Sequence, residues 1–110
     1  MNGYHTYKSC IDACLRCAAT CNHCASSCLQ EEDVKMMARC IQLDMECATL
    51  CYAAAQTMSI GGANAKELCA LCLKACEACA AECEKHDDRH CRECAEACRA
   101  CAEECRKMAA

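Results

Sequence analysis

The chain of 110 residues contains no proline, no phenylalanine and no tryptophan, and only three glycines. The absence of proline and the scarcity of glycine favour long, uninterrupted helices, since both residues disrupt helix interiors. No stretch approaches the ~20 consecutive apolar residues that a membrane-spanning helix needs, so no membrane association is expected. The formal net charge is −4 and there is no basic run, so nucleic acid is not expected as a partner.

Signals for export and for catalysis are also missing. The first ten residues, MNGYHTYKSC, contain neither an apolar core nor paired arginines, so we expect a cytoplasmic protein. No nucleophile–base pair, phosphate-binding loop or cofactor fingerprint is recognisable, and we therefore expect no enzymatic activity. Residues 1–110 are expected to form a single domain, because a chain of this length builds one compact core.

Cysteine is abundant, with 19 residues in the chain. After a polar lead-in over residues 1–8, the cysteines from Cys10 to Cys28 are spaced alternately four and three residues apart. This spacing places them at the a and d positions of a helical heptad. Residues three and four apart share one helix face, with Cβ atoms roughly 5–6 Å apart. The first predicted helix, which ends near Gln30, therefore presents a continuous line of sulfur.

Three further segments repeat this pattern, and every cysteine of the chain falls on one of the four seams. The seam cysteines are Cys10, Cys14, Cys17, Cys21, Cys24 and Cys28; Cys40, Cys47 and Cys51; Cys69, Cys72, Cys76, Cys79 and Cys83; and Cys91, Cys94, Cys98, Cys101 and Cys105. Four helices joined by short turns predict an all-α, antiparallel up-down-up-down four-helix bundle with a cysteine-lined core. Asp33 is the predicted N-cap of the second helix, and Asn64 with Glu67 the capping box of the third.

A core of cysteine indicates metal binding, because leucine or isoleucine would bury more apolar area at each position. Thiolates select Cu(I), Zn(II) and iron–sulfur clusters. Zinc closes an all-thiolate site of four ligands with a charge of −2, and four such sites would place about −8 in one narrow core. A Cu(I) ion that replaces a thiol proton leaves the charge of the core unchanged. The residues therefore favour many Cu(I) ions.

Three alternatives stay open from the residues alone. A zinc-thiolate buffer would use the same ligands. An iron–sulfur protein would often carry its cysteines grouped on loops, and no such grouping occurs here. A disulfide-stapled structural protein is disfavoured by the odd number of cysteines and by the expected cytoplasmic location, where thiols stay reduced.

The two ends of the predicted bundle differ in composition. The histidine end gathers Cys28, Met37, Cys40, Cys83, His86, His90 and Cys91, and the Cys10 end gathers Cys10, Met58, Cys69, Cys105 and Met108. Because the histidine end is polar and carries additional metal-ligating side chains, we predict that it is the mouth of the core. His86 continues the seam of the third helix and is the first candidate ligand there, and His90 is the second. Asp44, a carboxylate at a core position, is predicted either to bond a neighbouring helix or to assist Cu(I) at the mouth.

A second apolar stripe runs along the first two predicted helices, outside the seam. Its members are Ile11, Leu15, Ala18, Asn22, Ala25 and Leu29 on the first helix, and Ile41, Met45, Ala48, Tyr52 and Ala55 on the second. The stripe indicates either packing at the helix flanks or an interface between subunits of a homo-oligomer.

The segments CIDACLRCAATCNHC and CEACAAECEKHDDRHCRECAEACRACAEEC resemble the cytosolic copper storage proteins, which are bacterial cysteine-lined four-helix bundles. The resemblance covers nearly the whole chain. It implies a store or buffer that holds many Cu(I) ions on the 19 seam cysteines and serves copper homeostasis and detoxification. It also implies assembly as a homotetramer. A copper chaperone or a low-molecular-weight thiol is the expected partner for loading and unloading.

Overall fold

Four long antiparallel helices dominate the computed structural model, which describes residues 2–109. The elements are α1 (Gly3–Thr6), α2 (Lys8–Cys28), a 3-10 turn (Val34–Met37), α3 (Ala38–Ser59), α4 (Ala65–Cys83) and α5 (Arg89–Ala109). Helix α2 packs against α3 and α5, and α4 packs against the same two helices. The predicted all-α, up-down-up-down four-helix bundle is therefore confirmed. No helix in the described part of the chain is both long and apolar enough to cross a membrane.

The seams determine how the bundle closes. All 19 seam cysteines are buried, and all are free thiols rather than disulfides. Alanines such as Ala18, Ala48 and Ala80 fill the positions between adjacent helices. Their small side chains let the helices approach closely, and the bundle is accordingly a narrow rod of 48 × 20 × 18 Å.

The N-terminal lead-in contains the short helix α1, which the sequence did not predict. Asn2 caps it by accepting a hydrogen bond from the His5 backbone N–H at 3.3 Å. Gly3 lies so close to the end of α3 that an added Cβ would come within 2.1 Å of the Met58 carbonyl oxygen. A single helical turn carries too few residues to show a hydrophobic period, so the pattern could not reveal it.

Asp33 and Asn64 stand at the predicted N-cap positions, but neither side chain makes a capping hydrogen bond. The second long helix begins with a 3-10 turn, in which the Asp33 carbonyl oxygen, and not its side chain, accepts from the Met36 N–H at 3.2 Å. The Asn64 carbonyl oxygen likewise accepts from Leu68 N–H, and the Asn64 side chain makes no capping bond. The chain reverses between α3 and α4 through Gly61, whose φ of 64° is a conformation that favours glycine.

The second apolar stripe is partly buried and partly exposed. Its isoleucine on α2 and all four of its alanines are buried: Ile11, Ala18, Ala25, Ala48 and Ala55. Its larger members Leu15, Leu29, Met45 and Tyr52 are exposed on the outer face of the helix pair α2 and α3. The Asn22 side-chain amide donates to the Tyr52 hydroxyl across this face at 3.4 Å.

Candidate metal centre

The sulfur atoms form groups along the whole bundle. Within each group of four, all ligand atoms lie within 4.8 Å of one another, and every member is buried. From the Cys10 end towards the histidine end, five of these groups are Cys14, Cys72, Cys101 and Cys105; Cys17, Cys51, Cys76 and Cys101; Cys17, Cys21, Cys47 and Cys98; Cys21, Cys79, Cys94 and Cys98; and Cys24, Cys28, Cys40 and Cys91. The first four groups are linked by shared cysteines, whereas the fifth shares none with the fourth. Asp44 lies between these two groups, with hydrogen bonds to Cys79 and Cys94 on one side and to Cys40 on the other. Together the 19 buried thiols make up the sulfur core.

The separations between sulfur atoms fit Cu(I) without rearrangement of the helices. Cys51 and Cys72 on neighbouring helices lie 3.5 Å apart, and the i, i+4 pair Cys17–Cys21 lies 3.9 Å apart. Two metal–sulfur bonds of about 2.3 Å span about 3.5 Å when they meet at roughly 100°, and about 4.6 Å when they are collinear. The core therefore offers sites for ions with two or three sulfur ligands at every level.

Asp44 interrupts the sulfur core with a fully buried carboxylate. Its Oδ1 accepts hydrogen bonds from the thiols of Cys79 at 3.1 Å, Cys94 at 3.2 Å and Cys83 at 3.7 Å. Its Oδ2 accepts from the Cys40 thiol at 3.8 Å. Burial is the largest cause that raises the pKa of Asp44, from 3.8 to about 8. Of the two predicted roles, hydrogen bonding to neighbouring helices is the one seen in the structure.

At the histidine end, the side chain that reaches sulfur is His90. Its Nδ1 lies 3.4 Å from Cys24 Sγ and 3.6 Å from Cys91 Sγ, while its Nε2 lies 2.9 Å from Glu31 Oε2. A carboxylate that holds one ring nitrogen of a histidine fixes its tautomer and leaves the other nitrogen free to bind a metal. The side chain therefore has the arrangement of an oriented metal ligand.

His86 has a different environment, and this reverses the order in which the two histidines were predicted. Its Nε2 pairs with Glu82 Oε2 at 3.1 Å, and no hydrogen bond to sulfur occurs for it among the described residues. The seam register of α4 ends at Cys83, where the helix stops, and the turn that follows no longer directs side chains into the core. The seam register of α4 therefore does not bring His86 into contact with sulfur.

At this end, burial favours the protonated form of the Cys28 and Cys91 thiols, whereas hydrogen bonds from Cys24 and Cys83 lower the pKa of Cys40. Burial, with the negative charge of Cys40 next in importance, raises the pKa of the Cys28 thiol to about 12. The same two causes raise the pKa of Cys91. Since metal coordination requires the thiolate, each ion that binds here must displace a proton.

The Cys10 end contains the one cysteine with measurable exposure in the described part of the chain. Cys10 is 3% exposed, whereas the other 18 cysteines are at 0%. A cavity of about 130 Å³, lined by Tyr7 and Met108 among others, opens onto it. Deeper in the core, the Cys69 thiol donates to the thioether Sδ of the fully buried Met58 at 3.6 Å. Met58 was not among the predicted ligands, although it lies on the α3 seam.

Comparison with known proteins agrees with this geometry. The profile of the family described as Csp, copper storage protein, matches residues 4–110. The protein named "uncharacterized cysteine-rich protein YhjQ" of Bacillus subtilis is 50% identical over 103 residues, which cover 94% of this chain and 95% of that protein.

Two solved structures have closely similar folds. The structure named Cu(I)-bound copper storage protein BsCsp3 is 50% identical, with a TM-score of 0.90 over 94% of this chain and 97% of that chain. A cytosolic copper storage protein from Streptomyces lividans, solved with five coppers, is 37% identical, with a TM-score of 0.92 over 97% of this chain and 94% of that chain.

Proposed function

This chain belongs to the copper storage protein family, and from that premise we propose that it stores many Cu(I) ions on the thiolates of its sulfur core. The observation that carries the proposal is the burial of all 19 thiols, which form groups of four from one end of the bundle to the other. A protein that needed one or two structural ions would use four to eight thiols. All 19 cysteines are accordingly the ligands, and the role is sequestration and buffering rather than catalysis.

Electrostatics favours copper over zinc as the cargo. Each Cu(I) that replaces a thiol proton leaves the core neutral, whereas each four-thiolate zinc site leaves −2 in it. The described core contains no lysine or arginine that would compensate such a charge, and its one fully buried acid, Asp44, would add to it. Neutral exchange of a proton for Cu(I) therefore lets the core fill completely.

Cu(I) enters at the histidine end. His90 is in contact with sulfur there and serves as a nitrogen ligand at the mouth, while His86 lines the recess beside it. This recess, of about 370 Å³, is also lined by Met36, Met37 and four carboxylates: Glu31, Glu32, Asp33 and Asp88. Its negative charge attracts the cation and favours a delivering partner with a basic docking face. Such a partner is a copper chaperone, and a low-molecular-weight thiol serves for unloading.

The protein works in the cytoplasm as a homotetramer. Thiols in the cytoplasm stay reduced, as this core requires, and the similar protein from Streptomyces lividans is described as cytosolic. The exposed side chains Leu15, Met45 and Tyr52 form an apolar face on α2 and α3. An apolar face on identical chains is buried most simply by symmetric association.

Titration of the reduced protein with Cu(I), without oxygen and against a competing chelator, tests the proposal. We expect saturation well above the roughly four ions that an all-zinc core could hold. We also expect the number of protons released per ion to approach about one at saturation, against about four for a tetrathiolate zinc site. Saturation near four ions, or release of four protons per ion, would refute storage of Cu(I).

A variant in the middle of the core ties the binding to these thiols. Cys17→Ser removes a sulfur that lies 3.7 Å from Cys98 and 3.9 Å from Cys47, so it should lower the number of bound ions. Ser26→Ala changes an exposed residue of the same helix and should leave that number unchanged. Equal capacity in the two variants would show that the core is not the store.

A further inference from the structure

Helix α3 supplies the fewest cysteines to the core, and at the Cys10 end its seam position is filled by Met58. The Met58 side chain is fully buried. Its Sδ lies 3.6 Å from Cys69 Sγ, which is the distance that separates Cys40 from Cys83 and Cys47 from Cys76 across helix pairs. The thioether therefore occupies the place, and the spacing, of a seam thiol.

Cys69, like Cys10 at the same end of the bundle, has few close sulfur partners. Its hydrogen bond to Met58 is the one side-chain hydrogen bond that Cys69 makes within residues 2–109. By contrast, Cys17 has sulfur contacts on all three other long helices. Without Met58, Cys69 would make no side-chain hydrogen bond among the described residues.

We propose that Met58 is a thioether ligand which, together with the Cys69 thiolate, holds a Cu(I) ion at the Cys10 end of the sulfur core. The inference rests on the proposed function, since it assigns one further ligand to the same store. Thioethers, like thiolates, are soft ligands that select Cu(I) over zinc and over hard cations. Met58 thus makes this terminal site more selective for Cu(I) than a site built from thiolates alone.

Binding at this site is a ligand exchange without any redox change. The Cys69 S–H bond breaks, its proton leaves to the solvent, and the thiolate forms a bond to Cu(I). The Met58 sulfur donates a lone pair and carries no charge before or after the step. One Cu(I) with one thiolate and one thioether is neutral, so the site adds no uncompensated charge to the buried core.

Methionine also fills irregular gaps in protein cores, and a packing role for Met58 makes a different prediction. A packing residue would keep its sulfur unbound when copper fills the core. A ligand would form a bond to copper that can be observed directly on the sulfur or on its methyl group. The two roles can therefore be separated by spectroscopy on the wild-type chain.

The experiment follows the methyl groups of ¹³C-methyl-methionine in the full chain during titration with Cu(I), which is diamagnetic. The chain has six methionines, and Met58→Leu identifies the Met58 signal. We expect this signal to move as copper binds, while that of the exposed Met45 stays in place. Full copper uptake with an unmoved Met58 signal would overturn the inference about Met58 but not the proposed function. Absence of copper uptake would overturn the proposed function.

The rate of copper release provides the second readout. We expect Met58→Leu, which preserves volume, to release one ion to a chelator about tenfold faster than the wild type. Met45→Leu, at an exposed methionine of the same helix, is the matched control and should not change release from the Cys10 end. A moved methyl signal with unchanged release in Met58→Leu would identify Met58 as a bystander.

If Met58→Leu does not fold, selenium absorption spectroscopy on the wild-type chain with selenomethionine decides the question. A copper neighbour at bonding distance from selenium, in about one-sixth of the selenium atoms, supports ligation by one methionine of the six. No copper neighbour in the fully loaded protein overturns it.

Discussion

The buried carboxyl group of Asp44 should make the stability of the copper-free protein depend on pH, and Asp44→Asn should remove that dependence. Asp44 is enclosed by four thiols and has no cationic partner among the residues described. Its pKa is raised from 3.8 to about 8, chiefly by burial. The folded state therefore holds a proton on Asp44 that the unfolded state has already lost.

The direction of the effect follows from proton binding. Because the folded pKa lies above the unfolded one, the stabilising contribution is complete below pH 3.8 and is lost as the pH rises through about 8. Each pH unit inside this window changes the free energy of unfolding by at most about 1.4 kcal/mol. Between about pH 5 and pH 8 the free energy of unfolding can therefore fall by at most about 4 kcal/mol. We expect a fall of roughly 2–4 kcal/mol after relaxation of the site.

Urea denaturation of the reduced, metal-free protein at several pH values measures this loss. The wild type should unfold at progressively lower urea concentration as the pH rises, without a change in m-value. Asp44→Asn keeps an oxygen acceptor for the Cys79 and Cys94 thiols but cannot ionise, so its midpoint should vary much less. Glu46→Gln, an exposed change on the same helix, is the control. Equal pH slopes in the wild type and in Asp44→Asn would refute the reasoning.

Three further predictions concern the ends and the outer face. His90→Ala should slow copper loading about tenfold or more, because it removes a nitrogen in contact with sulfur, whereas His86→Ala should change loading little. Stopped-flow transfer of Cu(I) measures both loading rates, and equal rates in the two variants would contradict the assignment of His90 as the ligand at the mouth. In the copper-free protein, iodoacetamide should modify Cys10 first, because it is the one described thiol with any exposure, and peptide mass spectrometry would show the order of labelling. Earlier labelling of a cysteine at the histidine end would contradict this order. Tyr52→Glu together with Leu15→Glu should convert the tetramer to monomers, as light scattering would show, without lowering the copper capacity. A wild type that is itself monomeric would refute the proposed interface.

The fold and the sulfur core could be predicted because one residue type carries the heptad pattern through every long helix. The alternation of three and four residues fixes which face of each helix points inwards, and each of the 19 cysteines is buried as the pattern requires. Short turns then leave few ways to connect four such helices. The positions of the seam members therefore follow from periodicity alone.

The ends of the bundle could not be predicted in the same way, because periodicity stops where a helix stops. His86 is in register with the α4 seam but follows the end of that helix, and it pairs with Glu82. His90 reaches Cys24 from the start of α5, a contact between residues 66 positions apart that no local pattern indicates. Met58 is placed by the sequence only among the residues of the Cys10 end, and its distance from Cys69 is what distinguishes it as a candidate ligand.

The burial of the core has a consequence for the order in which copper leaves. The four helices close the sides of the rod, and Cys10 is the one described thiol with any contact with solvent. Ions near the middle, around Cys17 and Cys47, can reach the outside only by passing from sulfur to sulfur through the sites between them and an end. The store therefore empties in single file, so that copper held near the ends turns over rapidly while copper at the centre stays for much longer.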